Sequence, residues 1–162
     1  MTADLTETDR RHLRRCVELA ADAVAAGDFP FGSVLVAADG SVLAEDRNRE
    51  NSGGDATLHP EIELARWAAA NMATPERAGA TVYTSGEHCP MCAAAHAWVG
   101  LSRIVYATSS QQLTGWLAEL GQGPSPVRPL AISEVAPGVV TAGPAPELAD
   151  QVRDLHRRFR AS

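Results

Sequence analysis

Apolar residues at Leu13, Cys16, Val17, Ala20 and Val24 recur at helical spacing, with His12, Arg14, Arg15, Glu18 and Asp22 between them. Residues Glu7 to Ala26 are therefore predicted to form an amphipathic helix, stopped by Gly27. Ser33–Ala38 and Ser41–Ala44 are short apolar runs on either side of Asp39-Gly40, a pair suited to positive φ. They predict two antiparallel strands joined by a tight turn. A polar loop through Asn51, Ser52, Gly53, Gly54 and Asp55 leads into a second helix. Its inner face would carry Ile62, Ala65, Ala69 and Met72, and Pro75 would end it.

Ala80–Ser85 and Arg103–Thr108 read as buried strands, and the alanine-rich segment between them, Pro90–Val99, reads as a helix. A strand, helix and strand in this order predict a right-handed parallel crossover, so the sheet is expected to be mixed. Leu113, Trp116, Leu117 and Leu120 mark a fourth helix, followed by a loop rich in Gly and Pro from Gly121 to Pro129. One or two weak strands are expected near Leu130 and Val139. A last helix would place Leu148, Val152, Leu155 and Phe159 on one face. Helices on both faces of a mixed sheet define the α/β architecture.

A chain of 162 residues, 45% of them apolar, has the size of one domain with its own core, so residues 1–162 are expected to form a single unit. The stretch from Met1 to Arg15 is crowded with Asp, Glu, Arg and Thr and resembles neither a signal peptide nor a membrane span. A soluble cytoplasmic protein is expected. Cys16, Cys89 and Cys92 are too few and too unevenly placed for a disulfide framework, which suits a reducing compartment. The net charge of -6 gives no reason to hold a polyphosphate backbone, and the basic residues Arg153, Arg157, Arg158 and Arg160 cluster only near the C-terminus. A small neutral ligand is the expected partner, rather than nucleic acid.

The cysteine pair asks for a chemical explanation. Cys89-Pro90-Met91-Cys92 has metal-ligand spacing, although two cysteines alone also suit a redox pair or ordinary core positions. Proline favours the first helical position, so Pro90 puts Cys89 at the cap and Cys92 in the first turn, where their side chains converge. The positive end of the helix dipole favours thiolates there. His59-Pro60-Glu61 repeats the device: with Pro60 opening a helix, His59 caps it and Glu61 can turn toward the same point. One His and two Cys make three protein ligands, leaving a zinc ion its fourth position for water, with Glu61 as the proton carrier. A closed structural zinc would need a fourth ligand, for which His88 is the candidate; a redox pair would leave His59 and Glu61 without a role. Cys16 fits the apolar stripe of the first helix, and His12, His96 and His156 have no metal spacing and read as surface or packing residues.

His59-x-Glu61 followed by Cys89-x-x-Cys92 resembles the signature of the cytidine deaminase-like superfamily, whose zinc mechanism is itself a known pattern. Phe29-Pro30-Phe31-Gly32-Ser33-Val34 resembles the segment ahead of the active site in its guanine deaminase and tRNA adenosine deaminase branch, and the likeness runs from about residue 10 to residue 110. The resemblance implies a three-layer α/β/α sandwich around a mixed five-stranded sheet. It also implies a Zn2+ cofactor held by His59, Cys89 and Cys92, with Glu61 catalytic. By the same resemblance, Asn48 would fix the substrate ring, Phe31 and Trp98 would wall the pocket, and Glu119 would fall near a second acidic proton shuttle. Bland readings stand beside these: Asn48 as a turn residue, Phe31 and Trp98 as core, Glu119 as a solvated helix residue.

Two departures mark the signature. His88 stands where its first proline belongs, and Pro60, lacking an N–H, cannot offer a backbone donor to a substrate carbonyl. The resemblance implies hydrolytic removal of an exocyclic amino group, with guanine favoured among free bases. Cytosine-like and azacytosine-like bases and nucleosides such as cytidine or guanosine are the alternatives. Editing of tRNA adenosine and a zinc-stabilised binding module without turnover are further readings. Relatives commonly pair so that neighbouring chains complete the pocket, implying a homodimer; the stripe ending at Phe159 would serve such a contact or pack on its own sheet.

Overall fold

The computed structural model of the chain describes residues 4–162, so the first three residues of the polar N-terminal stretch lie outside the described residues. Helix α1 (Glu7–Ala25) begins at Thr6. The Thr6 hydroxyl accepts the Asp9 N–H at 3.1 Å, and Asp9 Oδ2 accepts the Thr6 N–H at 3.0 Å, closing two donors that the first turn leaves open. Gly27, at a φ of 85°, turns the chain out of the helix.

Strands β1 (Gly32–Val36) and β2 (Val42–Arg47) pair antiparallel, but their link is longer than the expected tight turn. The Ala37 N–H donates to the Ser41 carbonyl at 2.8 Å, leaving Ala38, Asp39 and Gly40 as a three-residue loop. Gly40 supplies the positive φ of 91°. The Asp39 carboxylate accepts the Ser41 N–H at 2.9 Å, so this residue closes the loop through its side chain.

Part of the expected polar loop is a single helical turn, α2 (Glu50–Gly53). Helix α3 (Pro60–Asn71) buries Glu61, Leu64, Ala65 and Ala68, while Ala69 is exposed and Ile62 only half-buried. The inner face is thus rotated from the expected one, because the polar residue Glu61 belongs to it. Met72 is buried as expected, as the cap of α3. Pro75 does not end this helix; it lies in the first turn of α4 (Thr74–Ala78), where its missing N–H costs nothing.

Strand β3 (Thr81–Gly86), helix α5 (Pro90–Trp98) and strand β4 (Arg103–Thr108) form the expected parallel unit. Helix α6 (Ser110–Glu119) follows, capped by Ser109, whose hydroxyl accepts the Gln112 N–H. The strand expected near Leu130 is absent. The chain instead turns into α7 (Ile132–Val135), whose leading N–H is taken by Glu87 at 2.8 Å. The strand expected near Val139 is β5 (Thr141–Ala142), and α8 (Pro146–Ala161) completes the described chain.

The five strands run in the order β2-β1-β3-β4-β5, with β2, β1 and β3 successively antiparallel and β3, β4 and β5 parallel. Strand alternation divides the core between two faces. Val34, Val36, Tyr83, Val105 and Ala107 face α1 and α8, meeting Leu13, Cys16, Val17, Val152 and Leu155. Leu35 and Val82 face α3, meeting Leu64, Ala65 and Ala68, while Ile104 and Tyr106 meet Ala93 of α5 and Ile132 of α7. The stripe of α8 therefore packs on its own sheet, with Phe159 against Phe29 at 4.5 Å between ring centres. By the same alternation Ser33 and Thr84 share the face of Leu35 and Val82, under the start of α3.

Candidate metal centre and active site

Two helix starts meet above the end of β3. His59 is the cap of α3 and Cys89 the cap of α5, both in extended backbone and each followed by a proline in the first turn. Cys92 lies in the first turn of α5. His59 Nδ1 lies 3.5 Å from Cys89 Sγ and 3.6 Å from Cys92 Sγ, and all three donor atoms fall within 4.8 Å of one another. Tetrahedral zinc bonds of about 2.3 Å to sulfur and 2.05 Å to nitrogen require an S···N separation of roughly 3.6 Å. The donor set fits zinc in chemistry and in spacing.

The electrostatics divide the three donors. Donation from Cys92 and then from His59 holds the Cys89 thiol well below its ordinary value, while the same contact with Cys89 pushes Cys92 up. The Cys89 sulfur, followed by the Glu50 carboxylate, pushes the His59 ring up. Cys89 is thereby favoured as a thiolate, while the protons held on Cys92 and His59 are what a dication would displace.

Glu61 is 6% exposed, and burial pushes its carboxyl up against the opposing pull of His59. Its Oε1 lies 3.1 Å from both Ser33 Oγ and Thr84 Oγ1. Ser33 and Thr84 are register partners on β1 and β3, and their hydroxyls are 2.9 Å apart. Thr84 Oγ1 also reaches the Gly86 carbonyl at 2.9 Å. Each hydroxyl has one hydrogen, so the pair can supply Glu61 with one donor or two as its charge changes.

A loop on the far side of His59 is anchored by Asp28, whose buried carboxylate accepts from the Asn51 N–H at 2.9 Å, the Ser52 N–H at 2.8 Å and Arg47 at 2.8 Å. This anchor holds Asn48, which is 1% exposed; its backbone N–H donates to the Phe31 carbonyl at 2.9 Å. The Phe31 ring stands beside Gly86, where a side-chain carbon would come within 3.1 Å of it, and edge-on to His156 of α8. Asn48 and Phe31 thus lie on elements that adjoin the cluster.

Other expected residues are not brought to it. Trp98, at the outer end of α5, is 86% exposed and walls no pocket within this chain. Glu119 ends α6 on the surface that faces α8, paired with Arg153. A late helical position turned toward α8 spends its charge on that helix. His88 does not join the metal group; its ring packs edge-on against His96 at 5.6 Å between centres. His12, His96 and His156 are all buried packing residues, as is Cys16.

Sequence reasoning missed Ser33, Thr84, Glu50 and Glu87. The signal for the first two was Ser33 as the one hydroxyl of β1 and Thr84 among the several hydroxyls of β3. Glu87 accepts from the Ser110 N–H at 2.9 Å and the Ile132 N–H at 2.8 Å, tying the loop before Cys89 to the starts of α6 and α7. Beside Cys89 and Pro90 opens a cavity of about 620 Å³, roofed by α6 and the loop after it, with Leu113, Leu117, Val127 and Leu130 in its walls.

Residues 6–108 match the sequence model of the cytidine and deoxycytidylate deaminase zinc-binding region. Guanine deaminase from Bacillus subtilis is 38% identical over 96 residues, covering 59% of this chain and 61% of that protein. The tRNA(Ile)-lysidine synthase of Deinococcus radiodurans is 35% identical over 57% of this chain but only 16% of its own length. The chain thus spans less than two thirds of both proteins. A probable cytosine deaminase from Schizosaccharomyces pombe is 29% identical over 76% of this chain and 74% of its own. Among solved structures, a mutant of NE0047 in complex with 8-azaguanine superposes with a TM-score of 0.73 at 25% identity, over 94% of this chain and 84% of that one. With the family match covering the helix starts that carry His59, Glu61, Cys89 and Cys92, this chain belongs to the family defined by the cytidine and deoxycytidylate deaminase zinc-binding region.

Proposed function

We propose that the chain deaminates a small free nucleobase, guanine first, with Glu61 as the proton carrier and His59, Cys89 and Cys92 as the zinc ligands. One observation carries this reading: a buried carboxylate stands beside a His/Cys/Cys donor set, seated by two hydroxyls on one oxygen. Bound zinc supplies Lewis acidity that brings the pKa of water toward neutrality. Glu61 takes a proton from the attacking water and delivers it to the ring nitrogen as oxygen bonds to the amino-bearing carbon. It then moves the remaining hydroxyl proton to the amino nitrogen, so that the C–N bond breaks, ammonia leaves and a carbonyl forms. A carboxyl raised by burial holds a proton more readily than an exposed one, which suits a group that must accept it and then return it.

Guanine is favoured by the Bacillus subtilis relative and the 8-azaguanine complex; the Schizosaccharomyces pombe relative supports a cytosine-like base as the alternative. Asn48 would fix the ring, with Phe31 beside it. An RNA substrate fits less well. The basic residues near the C-terminus are largely engaged, Arg153 with Glu119, Arg157 with Asp154 and Arg160 over the Phe29 and Phe159 rings. A homodimer would cover Trp98, which this chain leaves bare, and thiolate ligands suit the reducing cytoplasm.

Ammonia release from a panel of amino-purines, amino-pyrimidines and their nucleosides tests the reading. Glu61→Ala is expected to keep zinc and fold while losing at least about a hundredfold in turnover. Undiminished release would remove Glu61 from the mechanism, and a chain that holds zinc but releases ammonia from no member of the panel would favour a binding module.

A further inference from the structure

We propose that Glu50 is a positioning residue, its one carboxylate tying the metal ligand His59 to the ring-fixing amide of Asn48. This rests on the reading of those two residues given above. Glu50 Oε2 accepts from Asn48 Nδ2 at 2.7 Å, and Oε1 lies 3.6 Å from His59 Nε2. The Glu50 backbone N–H donates to Asn48 Oδ1 at 3.0 Å. A carboxylate only accepts and a backbone N–H only donates, so the Asn48 amide has one permitted orientation. Flipping it would set nitrogen against N–H and oxygen against carboxylate.

The imidazole is constrained in the same way. His59 turns Nδ1 toward both sulfurs, so a ligating ring carries its hydrogen on Nε2, which faces Glu50. A carboxylate on the second nitrogen of a ligating histidine fixes its tautomer and ring plane. Glu50 cannot drift from this place, because Asp28 grips the next two residues through their N–H groups. Its side chain is 16% exposed, largely removed from competing water. Metal retention and base recognition therefore share one anchor.

Competition for zinc between the holoprotein and a colorimetric chelator tests this without turnover. Glu50→Ala is expected to hold zinc about tenfold or more weakly. Glu50→Gln fills the same volume but offers one oxygen to two N–H donors, so it is expected not to restore zinc retention, although its zinc-free melting temperature stays near the parent value. The isosteric variant carries the test if the alanine variant fails to fold. Asn48→Ala is expected to weaken zinc retention severalfold, and the double substitution with Glu50→Ala to be no weaker than Glu50→Ala alone. Parental retention in Glu50→Gln, or additive losses in the double variant, would overturn the proposal and leave the deaminase reading standing. A parent protein without stoichiometric zinc would overturn both.

Discussion

Asp9 is a carboxylate nearly sealed from solvent, at 2% exposure. Burial would raise its carboxyl, but paired contacts to Arg103 at 2.9 Å each, the Thr6 N–H and the Tyr83 hydroxyl at 2.9 Å outweigh burial and hold it well below the usual range. A depressed native value stabilises the fold above the unfolded value of about 3.9, and that contribution is lost as pH falls below it. Asp9→Asn strands the Arg103 charge and is expected to cost about 3 kcal/mol at pH 7, read by urea unfolding. The gap between parent and variant should narrow on acidification to about pH 2.5, below the unfolded value. A gap independent of pH would contradict the assigned ion pair. Exposed pairs such as Arg14 with Glu7 should matter far less.

At the scale of elements, α1 lies so close on β1 that Gly32 is the residue that permits it. A methyl group there would collide with the Leu19 side chain and come within 2.5 Å of the Cys16 carbonyl and 2.8 Å of the Ala20 nitrogen. These are mostly backbone atoms and cannot swing aside, so Gly32→Ala is expected to destabilise the fold by roughly 3 kcal/mol, the upper end for overpacking. Chemical denaturation checks this; a loss below about 1 kcal/mol would mean the helix shifts freely. The next residue, Ser33, seats Glu61, so the strain would also reach turnover. The helices and central strands were legible in the sequence because their apolar spacing is regular. The prolines after His59 and Cys89 made the metal cluster legible too. What escaped was set by tertiary contact: a polar Glu61 on the buried face of α3, a loop after α6 recruited into α7 by Glu87, and Glu50, whose meaning depends on two residues that only folding brings beside it. Glu119 escaped in the opposite direction, its charge claimed by Arg153 of a distant helix.

For the molecule as a whole, the metal site joins the starts of α3 and α5, so zinc occupancy and stability are linked. A zinc concentration a thousandfold above its dissociation constant adds about 4 kcal/mol to the folded state. Stripping the metal with a chelator is therefore expected to lower the melting temperature by roughly 10 °C, and added zinc to restore it. A melting curve indifferent to chelation would separate the metal from the fold. No helix among the described residues is long and apolar enough to cross a membrane.

The Glu87 contact bears on which part of the chain can vary beside the sulfur ligands. One carboxylate fastens both roots of the roof over the cavity, at Ser110 and at Ile132, immediately ahead of the sulfur ligands. Between those two stitches the chain resembles a pouch gathered at its neck. Its lining can be enlarged, shortened or repainted in sequence while the neck stays shut, so the wall beside Cys89 is free to vary without loosening the helix start that carries the two sulfurs.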